Sequence, residues 1–117
     1  MSSFDWDRID PVIHSRLRVS LLAVLSSVES AEFTFLRDAT QSTDGNVGAH
    51  LRTLEEAGYV RSTKRRVGLK RVTDYSLTAK GRKAFIAYLE HLAALAGKRL
   101  VEVPAPPLSR STLSEAP

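Results

Sequence analysis

The chain has 117 residues, 43% of them hydrophobic and 26% charged, with a net charge of +4 and a sequence pI near 9.8. That is enough for one folded core and a mild preference for polyanionic partners. It has no cysteine, which excludes disulfides, zinc–thiolate centres and thiol redox sensing. No apolar run is long enough to span a bilayer, and the segment Met1 to Asp7 is acidic rather than a basic-then-apolar leader. A cytoplasmic protein with no membrane partner is expected.

Asp10 followed by Pro11 predicts a short helical lead-in over Asp10 to Ser15. Leu17, Leu21, Val24, Leu25 and Val28 recur at helical spacing and predict a first helix over Ser15 to Val28. Glu32-Phe33-Thr34 reads as a short strand. Thr34 is then placed to cap a second helix, Phe35 to Thr40, and Gln41-Ser42 make a turn. A third helix is predicted from about Thr43 to Ala57, with Thr43 as its cap, Asp44 at the positive end of its dipole and Gly58 as its left-handed stop.

Val60 to Arg66 and Arg71 to Leu77 read as two strands of a β-hairpin with Gly68 near the turn. Thr78 caps a last helix from Ala79 to about Leu100, whose Phe85, Leu89, Leu92, Ala96 and Leu100 form an apolar stripe flanked by Ile86 and Ala93. After Val103 the chain turns proline- and serine-rich, so 1–101 is expected to be the folded domain and 102–117 a disordered tail.

Two features of this layout carry chemistry. On the third helix, Val47, Leu51 and Leu54 share one side with Gly58, while Gly45, Ala49, Arg52, Thr53 and Glu56 lie opposite, with Asn46 on a flank. Small residues let a backbone approach base edges. Asn46 can pair with an adenine edge, and Ala49 and Thr53 offer methyls to thymine. Thr43, Asn46, Ala49 and Thr53 are therefore candidate base contacts, although capping and turn formation compete for Thr43 and Asn46. His50 and Arg52 are better placed for flanking phosphates. The acidic Glu55 and Glu56 must lie away from a duplex.

The second feature is the hairpin. Arg61, Lys64, Arg65, Arg66, Lys70 and Arg71 fall within it without an intervening acid, so its charge exceeds that of the whole chain. Lys64, Arg65, Arg66, Lys70 and Arg71 are candidate phosphate contacts, either along the backbone or with an arginine dipped into the minor groove. The competing reading is a solvated edge that blocks strand aggregation. His14, His50 and His91 lie on separate segments without ligand spacing, and no nucleophile elbow or phosphate loop occurs. Neither an enzyme nor a metal or other cofactor is expected.

The order helix, strand, helix, helix, hairpin, long helix is that of a winged helix-turn-helix, mainly α with a small β-hairpin wing (an α+β fold). The chain resembles the small winged-helix transcriptional regulators related to the MarR and ArsR groups over roughly His14 to Leu92. The resemblance lies in Phe33-Thr34-Phe35-Leu36-Arg37, in Thr43-Asp44-Gly45-Asn46-Val47 with His50 to Val60, and in Tyr75-Ser76-Leu77-Thr78-Ala79-Lys80-Gly81-Arg82.

The resemblance implies a transcriptional regulator, a repressor, that binds double-stranded DNA as a homodimer reading an inverted repeat; whether its signal is a small molecule, a partner protein or concentration alone stays open. An interaction module on the same scaffold, its basic wing serving an acidic partner, is the alternative. The chain departs from its relatives at Gln41, where they usually carry glycine, and at Thr40 and Ser42, where they carry apolar residues, so either Gln41 accepts a strained turn or the turn differs. The thiolate metal motif of ArsR-type sensors is absent. The apolar stripe of the last helix, with Trp6 and Ile9 near the start of the chain, predicts a dimer interface of Trp6, Ile9, Leu89, Leu92, Leu95, Ala96 and Leu100.

Overall fold

The computed structural model describes residues 8–96, which form four helices and one three-stranded antiparallel sheet. Trp6, Leu100 and the segment 102–117 lie outside the described residues. Helix α1 spans Arg16–Leu25, strand β1 Ala31–Glu32, helix α2 Phe33–Ala39 and helix α3 Asp44–Glu56. Strands β2 (Val60–Val67) and β3 (Lys70–Leu77) form the wing, and helix α4 runs over Ala79–Ala96. The winged helix-turn-helix order expected from the sequence is the order found.

Local chemistry explains most boundaries and corrects four. Asp10 to Ser15 is a turn rather than a helix: the Asp10 carboxylate accepts from the Val12 amide at 2.9 Å, and its carbonyl accepts from Ile13 and His14. A side-chain turn of this kind competes with helix formation. Helix α1 starts after Ser15, whose hydroxyl accepts from the Arg18 amide, and stops at Leu25, three residues short of Val28. The short strand begins at Ala31 instead of Glu32, because Ala31 and Glu32 pair with Tyr75 and Asp74 of β3. Helix α2 therefore starts at Phe33, and Thr34 lies within its first turn instead of capping it.

Helices α2 and α3 end in the same way with different residues. Past α3, the Gly58 and Tyr59 amides donate to the Glu55 and Leu54 carbonyls, with Gly58 at φ +83°. Past α2, the Gln41 and Ser42 amides donate to the Asp38 and Arg37 carbonyls, with Gln41 at φ 53°. Both are Schellman caps, which need a left-handed residue. Glycine enters that region freely and glutamine does not. The strain expected at Gln41 is thus present, and it sits in the turn that aims α3.

The core gathers Leu21, Leu22 and Leu25 of α1, Leu36 of α2, Val47, Leu51 and Leu54 of α3, Val60, and Phe85 and Tyr88 of α4. Ile9 and Ile13 from the N-terminal segment join it. Ile9, expected at a dimer interface, is only 8% exposed and packs inside the protomer. Leu92, expected there too, packs partly against the same core.

The start of α4 is fastened to the end of α3. The Thr78 amide donates to the Tyr59 carbonyl, its hydroxyl donates to the Gly58 carbonyl and accepts from the Gly81 amide. A Cβ on Gly81 would lie 2.1 Å from the Tyr59 carbonyl oxygen. Only glycine permits this approach, which accounts for Gly81.

Candidate nucleic-acid interface

The inner side of α3 is set by Val47, Leu51 and Leu54, all essentially inaccessible to solvent. Its outer side therefore presents Asp44, Gly45, Asn46, Ala49, Arg52, Glu55 and Glu56 to solvent. The Thr43 hydroxyl accepts from the Asn46 amide at 3.2 Å, so Thr43 is a cap. The Asn46 side chain makes no hydrogen bond among the described residues and projects from the first turn. The Thr53 hydroxyl donates to the Ala49 carbonyl at 3.2 Å, which leaves its methyl as the group it offers outward. Asp44, which would repel phosphate, is paired with Arg37 at 2.9 Å. Glu55 accepts from the Ser62 hydroxyl of β2 at 2.7 Å, so the acidic end of the helix is turned to the root of the wing.

His50 is not the free cation that its place in the sequence suggests. Its Nδ1 lies 2.8 Å from the guanidinium of Arg18, which also donates to the Val12 carbonyl. Arginine only donates, so Nδ1 accepts and the ring proton sits on Nε2. Burial, and secondarily the Arg18 charge, lower the His50 pKa. At neutral pH His50 can offer a phosphate one N–H donor and no charge.

Arg18 itself escaped the sequence reading, although a signal existed. It falls in the middle of the arc formed by Leu17, Leu21, Leu22 and Leu25 on α1, where a cation needs a partner. Asp10 and Tyr59 were also missed. The Tyr59 hydroxyl donates to Asp10 at 2.5 Å, and burial, followed by that bond, pushes the Tyr59 pKa up to about 12.

The wing sorts its charges by face. Strands β2 and β3 pair in the register Val60↔Leu77, Ser62↔Tyr75, Lys64↔Thr73 and Arg66↔Arg71. Side chains alternate along a strand, so Lys64, Arg66 and Arg71 share the face that carries Val60 and Tyr75 and that meets α3 through Ser62. The opposite face carries Arg65, held by Asp74 and, at 2.9 Å, by Glu32. Arg65 therefore braces the wing against β1, whereas Lys64, Arg66 and Arg71 make no ion pair among the described residues. All four line a shallow hollow of about 190 Å³. The turn has positive φ at Gly68 only, the pattern of a type II′ hairpin, and Lys70 projects from the face of Arg65.

On α4, Ile86, Leu89 and Leu95 are between 43% and 50% exposed, and Ala96 is exposed. Ile86, Leu89, Ala93 and Ala96 follow at three- and four-residue steps and form an apolar stripe beside the buried Phe85 and Tyr88 and the half-buried Leu92. Among the described residues no group of three or more histidines, cysteines or carboxylates could hold a metal ion, and no helix is long and apolar enough to cross a membrane.

Such an arrangement defines a winged helix-turn-helix protein with a basic wing. The model of the winged helix DNA-binding domain family matches residues 17–96, and the chain belongs to that family. It is 37% identical over 84 residues to an uncharacterized protein of Methanocaldococcus jannaschii, covering 72% of this chain and 91% of that one. The fold is similar to a transcriptional regulator homologue from Pyrococcus horikoshii OT3, with a TM-score of 0.68 and 22% identity over 79% of this chain and 89% of the other. It is also similar to a MarR-family transcriptional regulator from Silicibacter pomeroyi, with a TM-score of 0.64 and 20% identity over 92% and 71% of the two chains.

Proposed function

We propose that the protein is a homodimeric, sequence-specific transcriptional regulator acting as a repressor. Helix α3 reads the major groove of double-stranded DNA through Asn46, Ala49 and Thr53, with Thr43 at its rim, and the wing holds adjacent phosphates. The observation that carries this reading is the coincidence of faces: the unpaired wing cations Lys64, Arg66 and Arg71 lie on the side of the sheet that α3 packs against. A solvated edge that only blocks aggregation would not need its charges sorted this way.

The stripe of the exposed Ile86, Leu89 and Ala96 with the half-buried Ala93 supports a two-fold dimer, and a two-fold dimer reads an inverted repeat. An effector, small molecule or protein, would act by changing the spacing of the two α3 helices. Gel shifts on genomic fragments across a salt series test the reading. A preferred fragment with steep salt dependence is expected. Weak binding without sequence preference would favour an interaction module instead. Sedimentation at high micromolar protein should show a dimer that Leu89→Lys dissociates, and a wild-type monomer there would remove the two-fold arrangement.

A further inference from the structure

Between α1, the Gln41 turn and α3 lies a recess of about 500 Å³ on the far side of α3 from the wing. Its walls include Ser15, Arg16, Ser20, Gln41, Asn46 and His50, and no acidic side chain lines it. Arg16, Gln41 and Asn46 have side-chain donors with no partner among the described residues. The His50 ring, with Nδ1 given to Arg18, has Nε2–H left to donate. The arginines nearest the recess differ. Arg37 is neutralised by Asp38 and Asp44, and Arg18 is committed to His50 and Val12. Arg16 has no ion pair among the described residues. Pockets for drug-like molecules are lined mainly by apolar and aromatic side chains. This one is lined by donors, with Leu17 as its one large apolar residue.

We infer that this recess is an anion site that takes a phosphate group, with Arg16 supplying the charge and the Gln41 and His50 donors fixing the oxygens. Two sources share that chemistry: a backbone phosphate of DNA flanking α3, which rests on the regulator reading above, and a free phosphate competing with DNA for the same recess. The first gives α3 a phosphate anchor on the side opposite the wing. The second gives a phosphate compound a direct route to displacing the protein from DNA.

Two measurements separate the sources. In the first, binding to a duplex is followed against salt for the wild type, Arg16→Ala, Arg16→Lys and Gln41→Glu. One lost phosphate contact lowers the slope of log affinity against log salt by about 0.9. Arg16→Ala should show that drop on every sequence and Arg16→Lys should not. Gln41→Glu, which places a carboxylate in the recess, should weaken binding while leaving the melting curve near that of the wild type. In the second, the His50 ring resonances of the protein alone are followed during titration with inorganic phosphate at constant ionic strength.

A slope drop assigns the recess to the DNA backbone. An unchanged slope, with His50 shifts that Arg16→Ala abolishes, assigns it to a free phosphate. Unchanged slopes together with absent shifts, or shifts that survive Arg16→Ala, overturn the inference. If the wild type binds no duplex at all, the regulator reading fails, and the phosphate titration decides the recess by itself.

Discussion

Replacing Lys64, Arg66 and Arg71 together by alanine tests the division of the wing into a binding face and a bracing face. None of the three has an ion-pair partner among the described residues, and all lie on the α3 side of the hairpin. If each neutralises one phosphate, their removal lowers the salt slope by about 2.7, at roughly 0.9 per contact. Across a roughly fourfold rise in salt, a slope difference of that size changes affinity about 40-fold, so the variant should lose far less affinity between low and high salt than the wild type does. At low salt its binding should be weaker on all sequences alike, because phosphate contacts carry no sequence information.

Arg65→Ala is the matched control. It frees Asp74, only 18% exposed, and Glu32 of a shared cation. The hairpin should then melt earlier with the salt slope nearly unchanged. Fluorescence anisotropy on a labelled duplex at four or five salt concentrations gives the slopes. An Arg65→Ala slope that falls by about one unit, beside a triple variant that keeps the wild-type slope, would refute the assignment of faces.

Three further outcomes follow from the geometry. Gln41→Gly should stabilise the protein by roughly 0.5–1 kcal/mol in urea unfolding, since relief of the left-handed strain outweighs the added freedom of glycine in the unfolded chain; a loss of stability would mean that the φ of 53° carries no strain. Gly81→Ala should cost about 3 kcal/mol or more, because the Tyr59 carbonyl that its Cβ would strike is backbone and cannot swing aside; a wild-type midpoint would contradict the packing of α4.

The third concerns pH. Because the folded-state pKa of His50 is lowered, the unfolded chain takes up the proton first as pH falls. The His50 contribution is therefore complete above about pH 6.5 and is lost as pH drops from there through the lower folded value. His50→Asn, which keeps an acceptor for Arg18, should flatten that part of the stability curve, and identical wild-type and variant curves between pH 7.5 and pH 5 would exclude the linkage.

The periodicities of α1, α3 and α4 were legible in the sequence because each buries one side against a common core, and apolar spacing reports that directly. The Gly58 stop and the Thr43 and Thr78 caps were legible because capping is local chemistry. The errors cluster where partners are distant in sequence. Ala31 is a strand residue only because Tyr75 lies beside it. Glu32 claims Arg65 only once β1 and β3 are paired, whereas the diagonal relation of Arg65 to Asp74 across the hairpin follows from the two-residue turn and could have been counted out. The Arg18–His50 contact joins residues 32 apart and has no local signature except a cation within an apolar arc. Reading Lys64, Arg65, Arg66, Lys70 and Arg71 alike as phosphate contacts did not separate the two faces of the hairpin.

The aim of α3 rests on contributions of unequal size. Val47, Leu51 and Leu54 are fully buried, and each contributes on the order of 1.5–3 kcal/mol. They fix how deep the helix sits but leave its tilt and rotation less defined. Polar ties address those: Thr43 and the Arg37–Asp44 pair at the start, Arg18–His50 in the middle, Ser62–Glu55 at the end and Asp10–Tyr59 just beyond it. The exposed ones among them contribute less than about 1 kcal/mol each, so their main effect is orientation. None of them uses the side chains of Asn46, Ala49 or Arg52. The outer side of the helix is thus oriented by bonds made elsewhere and has few internal bonds to break on docking. The base-reading role proposed for α3 would draw on that separation, because every internal bond broken on binding would be subtracted from the affinity.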